Sequence, residues 1–368
     1  MRAVRYGTFG GAARIEEVAA PACAADGAVV RVRATGVCRS DWHAWQGHDD
    51  TVALPHVPGH EFAGVVEEVG ARVERVAVGD RVTAPFVFAC GTCAQCAAGA
   101  TQVCLRQQQP GFDLPGTWAD LVAVAHADVN LVRLPDAIGF VEAAGLGCRF
   151  GTAYHALHAQ AGLRAGEHVA VVGCGGVGLS LVEVARAAGA HVVAVDRSDA
   201  ALAAAVALGA VPVPAGEDAA ARVVELTDGG AHIAVDAYGS EATMLAALGM
   251  LRPRGRHVQV GLLLDADARP AVPMGPVVAR ELRILGSHGI AVGEYDAMLA
   301  DVVARRLRPA ATIGRTIAFE ELPAALEAMS GPASGSGMVV AELGAPSQRA
   351  LRATPGLRRV ASSPPVRR

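Results

Sequence analysis

Hydrophobic positions along the chain follow two different rhythms. Up to about residue 149, short alternating runs such as Val30-Arg31-Val32-Arg33-Ala34 are interrupted often by Gly and Pro. Alternation with period two is the pattern of a strand with one buried face, because successive side chains point to opposite sides. This region is therefore predicted to be an all-β, barrel-like domain. From about residue 164 the alternation gives way to apolar runs at 168–172, 191–195, 210–213, 232–236, 256–260 and 282–286. Ala-rich stretches at 177–189, 199–208 and 241–251 read as helices between several of them. Six strands with interposed helices predict a doubly wound parallel α/β sheet. An amphipathic helix is expected at 294–306, and 315–343 returns to mixed helix and short strand. The stretch 345–368 has six Arg, no acidic residue and several Pro and Ser, and is predicted to be a disordered basic tail.

Composition narrows the function classes. The chain has 368 residues, 52% hydrophobic and 18% charged, which suits a globular protein with two cores. Its net charge of -4 argues against nucleic acid as a partner. No run approaches the roughly 20 apolar residues that span a bilayer. The opening Met1-Arg-Ala-Val-Arg-Tyr6 has no apolar signal core, so a cytoplasmic location is expected. All 32 basic residues are Arg. Without a lysine, Schiff-base catalysis and a P-loop lysine are both excluded.

The eight cysteines change the picture more. Cys90, Cys93, Cys96 and Cys104 follow a C-x2-C-x2-C-x7-C pattern. Four thiolates so closely spaced can surround one tetrahedral Zn²⁺ and leave no open position, which is a structural site. An iron–sulfur cluster is the rival occupant, since C-x2-C-x2-C also begins a ferredoxin run. The long third gap and the lack of Pro after Cys104 count against it. A second set, Cys38, the Gly59-His60-Glu61 triplet and Cys148, is scattered. A catalytic zinc needs three protein ligands and one open position. By spacing alone this set is weak, because buried Cys and structurally satisfied His are both common in cores.

A nucleotide site is signalled at the first strand of the second domain. Val169–Val172 leads into Gly173-Cys174-Gly175-Gly176-Val177-Gly178, with a helical stretch directly after. A G-x-G-x-x-G between a strand and a helix allows a tight turn and brings a pyrophosphate against the helix N-terminus. Cys174 reads as a small filler there. The next strand ends at Asp196, 23 residues after Gly173. A carboxylate at that point accepts hydrogen bonds from the ribose hydroxyls of NAD and repels the 2′-phosphate of NADP. Arg197 beside it pulls the other way, towards a phosphate or the adenine face. Val260 and Gly261 complete the cofactor-binding candidates.

Taken together, Cys38-Arg39-Ser40-Asp41-Trp42-His43, Gly59-His60-Glu61, the cysteine quartet and Cys148 resemble the zinc-containing medium-chain alcohol dehydrogenases in identity and order, over about residues 1–343. The resemblance implies a GroES-like catalytic domain made of 1–149 and 288–344, and a Rossmann NAD-binding domain at 150–287. It implies Cys38, His60 and Cys148 as ligands of a catalytic zinc, and Glu61 as a nearby carboxylate able to enter the coordination sphere. Asp41 would hold the His60 ring, as carboxylates commonly do for metal-bound imidazoles. Ser40 would be the hydroxyl beside the alcohol and His43 the far end of a proton relay. Arg39 would meet the pyrophosphate, Thr152 would line the nicotinamide pocket, and Trp45 and Phe86 would line the alcohol pocket, with Trp118 near. The substrate would be a small alcohol or carbonyl compound.

Two features depart from the wider family or sort within it. Many relatives place a basic residue near the C-terminal end to meet the pyrophosphate, and Gly335-Ser-Gly-Met338 offers none. The short span from Cys104 to Cys148 is similar to the bacterial and yeast tetramers, which implies a homotetramer. Rival readings are a polyol or aldehyde-processing dehydrogenase with the same machinery, a non-catalytic zinc-binding relative, and a zinc-free quinone reductase. Both cysteine sets argue against the last.

Overall fold

A computed structural model describes residues 1–331 and 335–344. The tail predicted at 345–368 lies outside the described residues. The barrel half uses β1 (Arg2–Arg5), β2 (Arg14–Glu17), β3 (Ala28–Val37), β4 (Phe62–Val69), β5 (Arg81–Thr83), β6 (Leu121–Val124) and β7 (Val132–Arg133). Strands β1 and β2 form an antiparallel pair. The long central strand β3 alternates buried and half-buried positions through Val30–Val32–Ala34, as its sequence requires. It pairs antiparallel with β4 and with β6. Tyr6, Val30, Trp45, Phe62, Phe88 and Trp118 fill the interior between these strands.

The second half is a six-stranded parallel sheet: β8 (His168–Val172), β9 (His191–Asp196), β10 (Val211–Pro214), β11 (Ala231–Asp236), β12 (Leu251–Gln259) and β13 (Arg283–Gly286). Their order is β10-β9-β8-β11-β12-β13. The order reverses beside β8, so a crevice opens at the C-terminal ends of β8 and β11, where ligands bind in such sheets. Helices at Gly176–Ala187, Asp199–Ala207 and Glu241–Gly249 cover the faces, close to the predicted spans. A further helix at Ala219–Leu226 was not singled out by periodicity. Strand β12 starts five residues earlier than its apolar run at 256–260. Its first half, Arg252-Pro253-Arg254-Gly255, forms a register irregularity against β11 and carries no apolar signal.

Two segments join the halves. Helix Arg149–His155 continues through a π-turn at Ala156–Gln160 and packs against helix Gly176–Ala187. The predicted helix at 294–306 is a short 3-10 turn followed by an α-helix, Tyr295–Val303. Its buried Tyr295, Met298, Leu299 and Val302 share a core with Phe150, Leu157, Val169 and Leu181. The chain then rejoins the barrel through β14 (Ile313–Ala318) and β15 (Met338–Glu342), with β15 antiparallel to β3.

Candidate active site and metal centres

The scattered ligand set converges. Potential ligand atoms of Cys38, His60 and Cys148 all lie within 4.8 Å of one another. Cys38 follows the end of β3 and caps the helix Arg39–Gln46, His60 lies just before β4, and Cys148 caps the helix Arg149–His155. One buried carboxylate ties two of them together. Asp41 accepts from the Cys38 backbone N–H at 2.8 Å and holds His60 Nδ1 at 2.8 Å. Fixing Nδ1 leaves His60 Nε2 as the outward nitrogen, and that atom is buried with no hydrogen-bond partner among the described residues. A buried ring nitrogen is rarely left unpaired, and two thiols beside it supply the donor set of a zinc ion. The thiols also share charge. A hydrogen bond from Cys148 draws the Cys38 thiol below its ordinary range, and the same contact pushes Cys148 up.

Glu61 does not join the three ligand atoms in this geometry. It is fully buried and forms an ion pair with Arg149. Its Oε1 accepts from the Arg149 backbone N–H and from Nε, each at 3.0 Å, and its Oε2 accepts from Nη2. Burial pushes the Glu61 carboxyl up, against the opposing pull of Arg149. Arg149 Nη1 also donates to the Val37 carbonyl at 3.1 Å. Sequence reasoning missed Arg149. The sequence offered only half of the signal, an Arg directly after the third ligand; that Glu61 is buried and must find a cation shows only in the fold.

The quartet forms a compact lobe on one loop. The four Sγ atoms lie within 4.8 Å of one another, around a one-turn helix at Ala94–Ala97. Backbone N–H groups point at the sulfurs: Cys90 N to Cys104 Sγ at 3.3 Å, Thr92 N to Cys90 Sγ at 3.5 Å and Arg106 N to Cys104 Sγ at 3.3 Å. Arg106 Nη2 adds a contact to Cys90 Sγ at 3.2 Å. The Thr92 N–H and Arg106 pull the Cys90 thiol down to about 5, whereas desolvation and its contact with Cys93 push Cys96 up to about 12. Four sulfurs sharing negative charge in this way fit a closed tetrahedral site.

The glycine loop sits at the crevice. Gly173 has φ +88 and a Cβ there would stand 3.0 Å from Tyr238. A Cβ on Gly178 would come within 1.8 Å of the Gly173 carbonyl oxygen, so the loop folds back only without side chains. Gly175 caps the helix that starts at Gly176, with Val177 in its first turn. The Asp196 carboxylate spans two turns, accepting from Cys174 N at 2.6 Å and Ser198 N at 2.8 Å. Arg197 lies over the Tyr238 ring at 5.8 Å. Val260 and Gly261, at the end of β12, border a cavity of about 390 Å³ with Gln102, His155, Ser287 and His288. Phe86 stands between this cavity and the ligand trio, edge-on to His288 at 5.2 Å and to His60 at 6.0 Å. Thr152 is buried on the helix after Cys148.

Other expected residues have different surroundings. Trp45 packs into the barrel core and donates from Nε1 to the Gly11 carbonyl at 2.7 Å. Trp118 is likewise buried, bonded to the Gly36 carbonyl at 2.9 Å. The aromatic rings that flank His60 are Phe86 and Phe112, the latter at 5.4 Å and absent from the sequence-based set. Ser40 Oγ lies 3.8 Å from Cys38 Sγ. His43 Nδ1 meets His48 Nδ1 at 3.0 Å. Arg39 donates to the Met329 carbonyl at 2.6 Å and lies over the Trp42 ring.

Comparison with known proteins decides the family. The alcohol dehydrogenase GroES-like domain matches residues 24–136, and the zinc-binding dehydrogenase domain matches residues 176–304. An alcohol dehydrogenase of Geobacillus stearothermophilus is 39% identical over 278 residues, spanning 74% of this chain and 80% of that protein. This chain belongs to the zinc-containing medium-chain alcohol dehydrogenase family. It is therefore an oxidoreductase with a GroES-like and a Rossmann-type domain. The alcohol dehydrogenase of Thermus sp. ATN1 has the same fold, with a TM-score of 0.87 at 34% identity, covering 93% of this chain and 100% of that one. Family membership does not fix the substrate. A D-arabitol-phosphate dehydrogenase of Enterococcus avium is 32% identical over 281 residues, covering 74% of this chain and 77% of its own length. No helix among the described residues is long and apolar enough to cross a membrane.

Proposed function

We propose that this dehydrogenase interconverts a small or medium alcohol and its aldehyde or ketone, with NAD as the hydride acceptor. The observation that carries the reading is His60, buried, locked through Nδ1 to Asp41, and presenting an unpaired Nε2 beside two thiols. Zinc held by Cys38, His60 and Cys148 would supply Lewis acidity, polarising the substrate oxygen and easing loss of its proton. NAD would supply the hydride acceptor.

The chain's own residues do the rest. Asp41 fixes the His60 ring and the start of the Cys38 helix, so the ligand geometry is set before substrate arrives. Ser40, next to the ligand Cys38, would accept the alcohol proton while giving up its own hydroxyl proton to the relay, at whose far end the half-buried His43 would release a proton to solvent. Arg149 keeps Glu61 paired to one side of the trio. The glycine loop from Gly173 to Gly178 and the helix N-terminus behind it would hold the cofactor's pyrophosphate, with Arg39 as a further contact there and Val260, Gly261 and Thr152 as the residues lining the nicotinamide pocket. Asp196 would accept from the ribose hydroxyls and disfavour a 2′-phosphate, while Arg197 is occupied with Tyr238. Phe86 and Phe112 form the apolar walls for the substrate.

A second reading, a polyol dehydrogenase with the same machinery, is favoured by the likeness to the Enterococcus avium enzyme. A panel of alcohols, polyols and aldehydes read by NADH absorbance, repeated with NADP, separates the two. Turnover of simple alcohols with NAD supports the first reading. Activity confined to polyols, or to NADP, overturns it. The short span between Cys104 and Cys148 supports a homotetramer, which sedimentation would report.

A further inference from the structure

The cofactor crevice occupies one end of the parallel sheet, and a different kind of pocket occupies the other. At the N-terminal ends of β8, β11, β12 and β13 a cavity of about 480 Å³ is lined by Arg164, Arg252, Arg254, Arg256 and Arg283, with Glu167, Glu281 and His232. Five guanidiniums against two carboxylates leave this pocket strongly positive in a chain whose net charge is -4. Strand β8 spans roughly 16 Å at ~3.3 Å per residue, which separates the pocket from the glycine loop.

Three features show that the pocket has donors and positive charge in excess. Arg256 and Arg283 are paired in register on neighbouring strands β12 and β13, and of the two only Arg256 has a carboxylate partner, Glu167, among the described residues. Both nitrogens of His232 face donors: the His168 backbone N–H at Nδ1, 2.9 Å, and Arg252 Nη1 at Nε2, 2.9 Å. A neutral imidazole accepts at only one nitrogen, so one of these donors goes without an acceptor. Finally, Arg254's one ion pair among the described residues is an exposed one, at 3.5 Å to Glu281, which offsets little of its charge.

The arginines divide by task. Arg252 is fixed by the carbonyls of Gly230, Thr227 and Asp228. Arg256 is fixed by those of Ala161 and Gly162 and by Glu167. These two form a rigid floor. The side chains of Arg164 and Arg283 are exposed and make no hydrogen bond or ion pair with any described residue. A planar guanidinium offers paired donors that match phosphate oxygens.

We propose that this pocket is a second, non-catalytic site that binds a small polyanion bearing two or more phosphate groups. One phosphate beside Arg283, over the floor set by Arg252 and Arg256, supplies the acceptor that Arg283 lacks. Arg164 and Arg254 close on it from the rim.

The test uses the enzyme saturated with NADH, so that phosphates do not compete at the glycine loop. Inorganic pyrophosphate is added at constant ionic strength against sodium chloride, and thermal unfolding is followed for wild type and for the double variant Arg164→Gln/Arg283→Gln. Neither side chain has an internal partner, so the variant keeps the fold and its KM and kcat. Saturating pyrophosphate should raise the melting temperature of wild type by about 2 to 4 °C, and the variant should need on the order of tenfold more pyrophosphate for the same rise. A parallel titration with ATP separates a nucleotide from bare polyphosphate: a larger response to ATP identifies a nucleoside polyphosphate, and an equal one identifies phosphate recognition alone. No shift in wild type beyond the chloride control, or an equal shift in the variant, overturns the proposal.

Discussion

The two candidate zinc sites use nearly the same ligand types and are built in opposite ways. The quartet takes all four sulfurs from one loop between Cys90 and Cys104, and its backbone N–H groups and Arg106 turn inward onto them. The trio takes its ligands from three separate parts of the chain and holds them with buried charge: Asp41 on Cys38 and His60, and the Glu61–Arg149 pair beside Cys148. A loop with few apolar side chains of its own would depend on a bound ion for its shape. Among the described residues its small core buries Ala89, Cys90 and Cys104, with Cys93, Cys96 and Val129 packed alongside. The trio instead inherits its geometry from a finished barrel. The first centre should therefore govern stability and the second chemistry.

Removing one ligand from each centre is the strongest way to break that division. Cys148→Ala should lower turnover by roughly 10³-fold or more, because polarisation of the substrate oxygen is worth several kcal/mol. Its far-ultraviolet circular dichroism and melting temperature should stay near wild type. Normal activity in this variant would remove Cys148 from the site. Cys93→Ala should do the reverse. Binding at a structural zinc is itself folding free energy, so this variant should melt at least ~10 °C lower or become insoluble. Equal melting curves would show that the lobe holds itself together without an ion.

The legibility of the two centres in the sequence follows from the same contrast. Four cysteines within one loop announce themselves by spacing, since local spacing restricts what can be brought together. Cys38, His60 and Cys148 gain meaning only through the fold, and by spacing they could have been core residues. Arg149 shows the limit more sharply. Glu61 was readable as a carboxylate near the ligands, but that it is buried and answered by Arg149 depends on how the helix Arg149–His155 meets β3 and β4. Trp45 and Phe86 look alike in sequence because a pocket wall and a core position are both apolar; only packing separates the Gly11-bonded Trp45 from Phe86 beside His60. The parallel sheet was readable wherever strands are apolar on both faces, as at 168–172. It was hidden at Arg252–Gly255, where β12 begins in arginines.

A smaller change sharpens the comparison at its hinge. Asp41→Asn keeps the size of the side chain but weakens its grip on His60 Nδ1 and Cys38 N–H. Loss of such an orienting carboxylate typically weakens metal binding by ~10- to 100-fold. The catalytic centre alone should respond, seen as earlier loss of activity during chelator titration with the melting temperature little changed. Identical chelator sensitivity in variant and wild type would show that Asp41 does not position the ligand.

The division into a closed and an open centre is tested most directly by metal content. Protein purified without added metal should carry two zinc ions per chain by plasma mass spectrometry, and Cys148→Ala should carry one while remaining folded. One zinc in wild type, or iron with visible charge-transfer colour, would contradict the account.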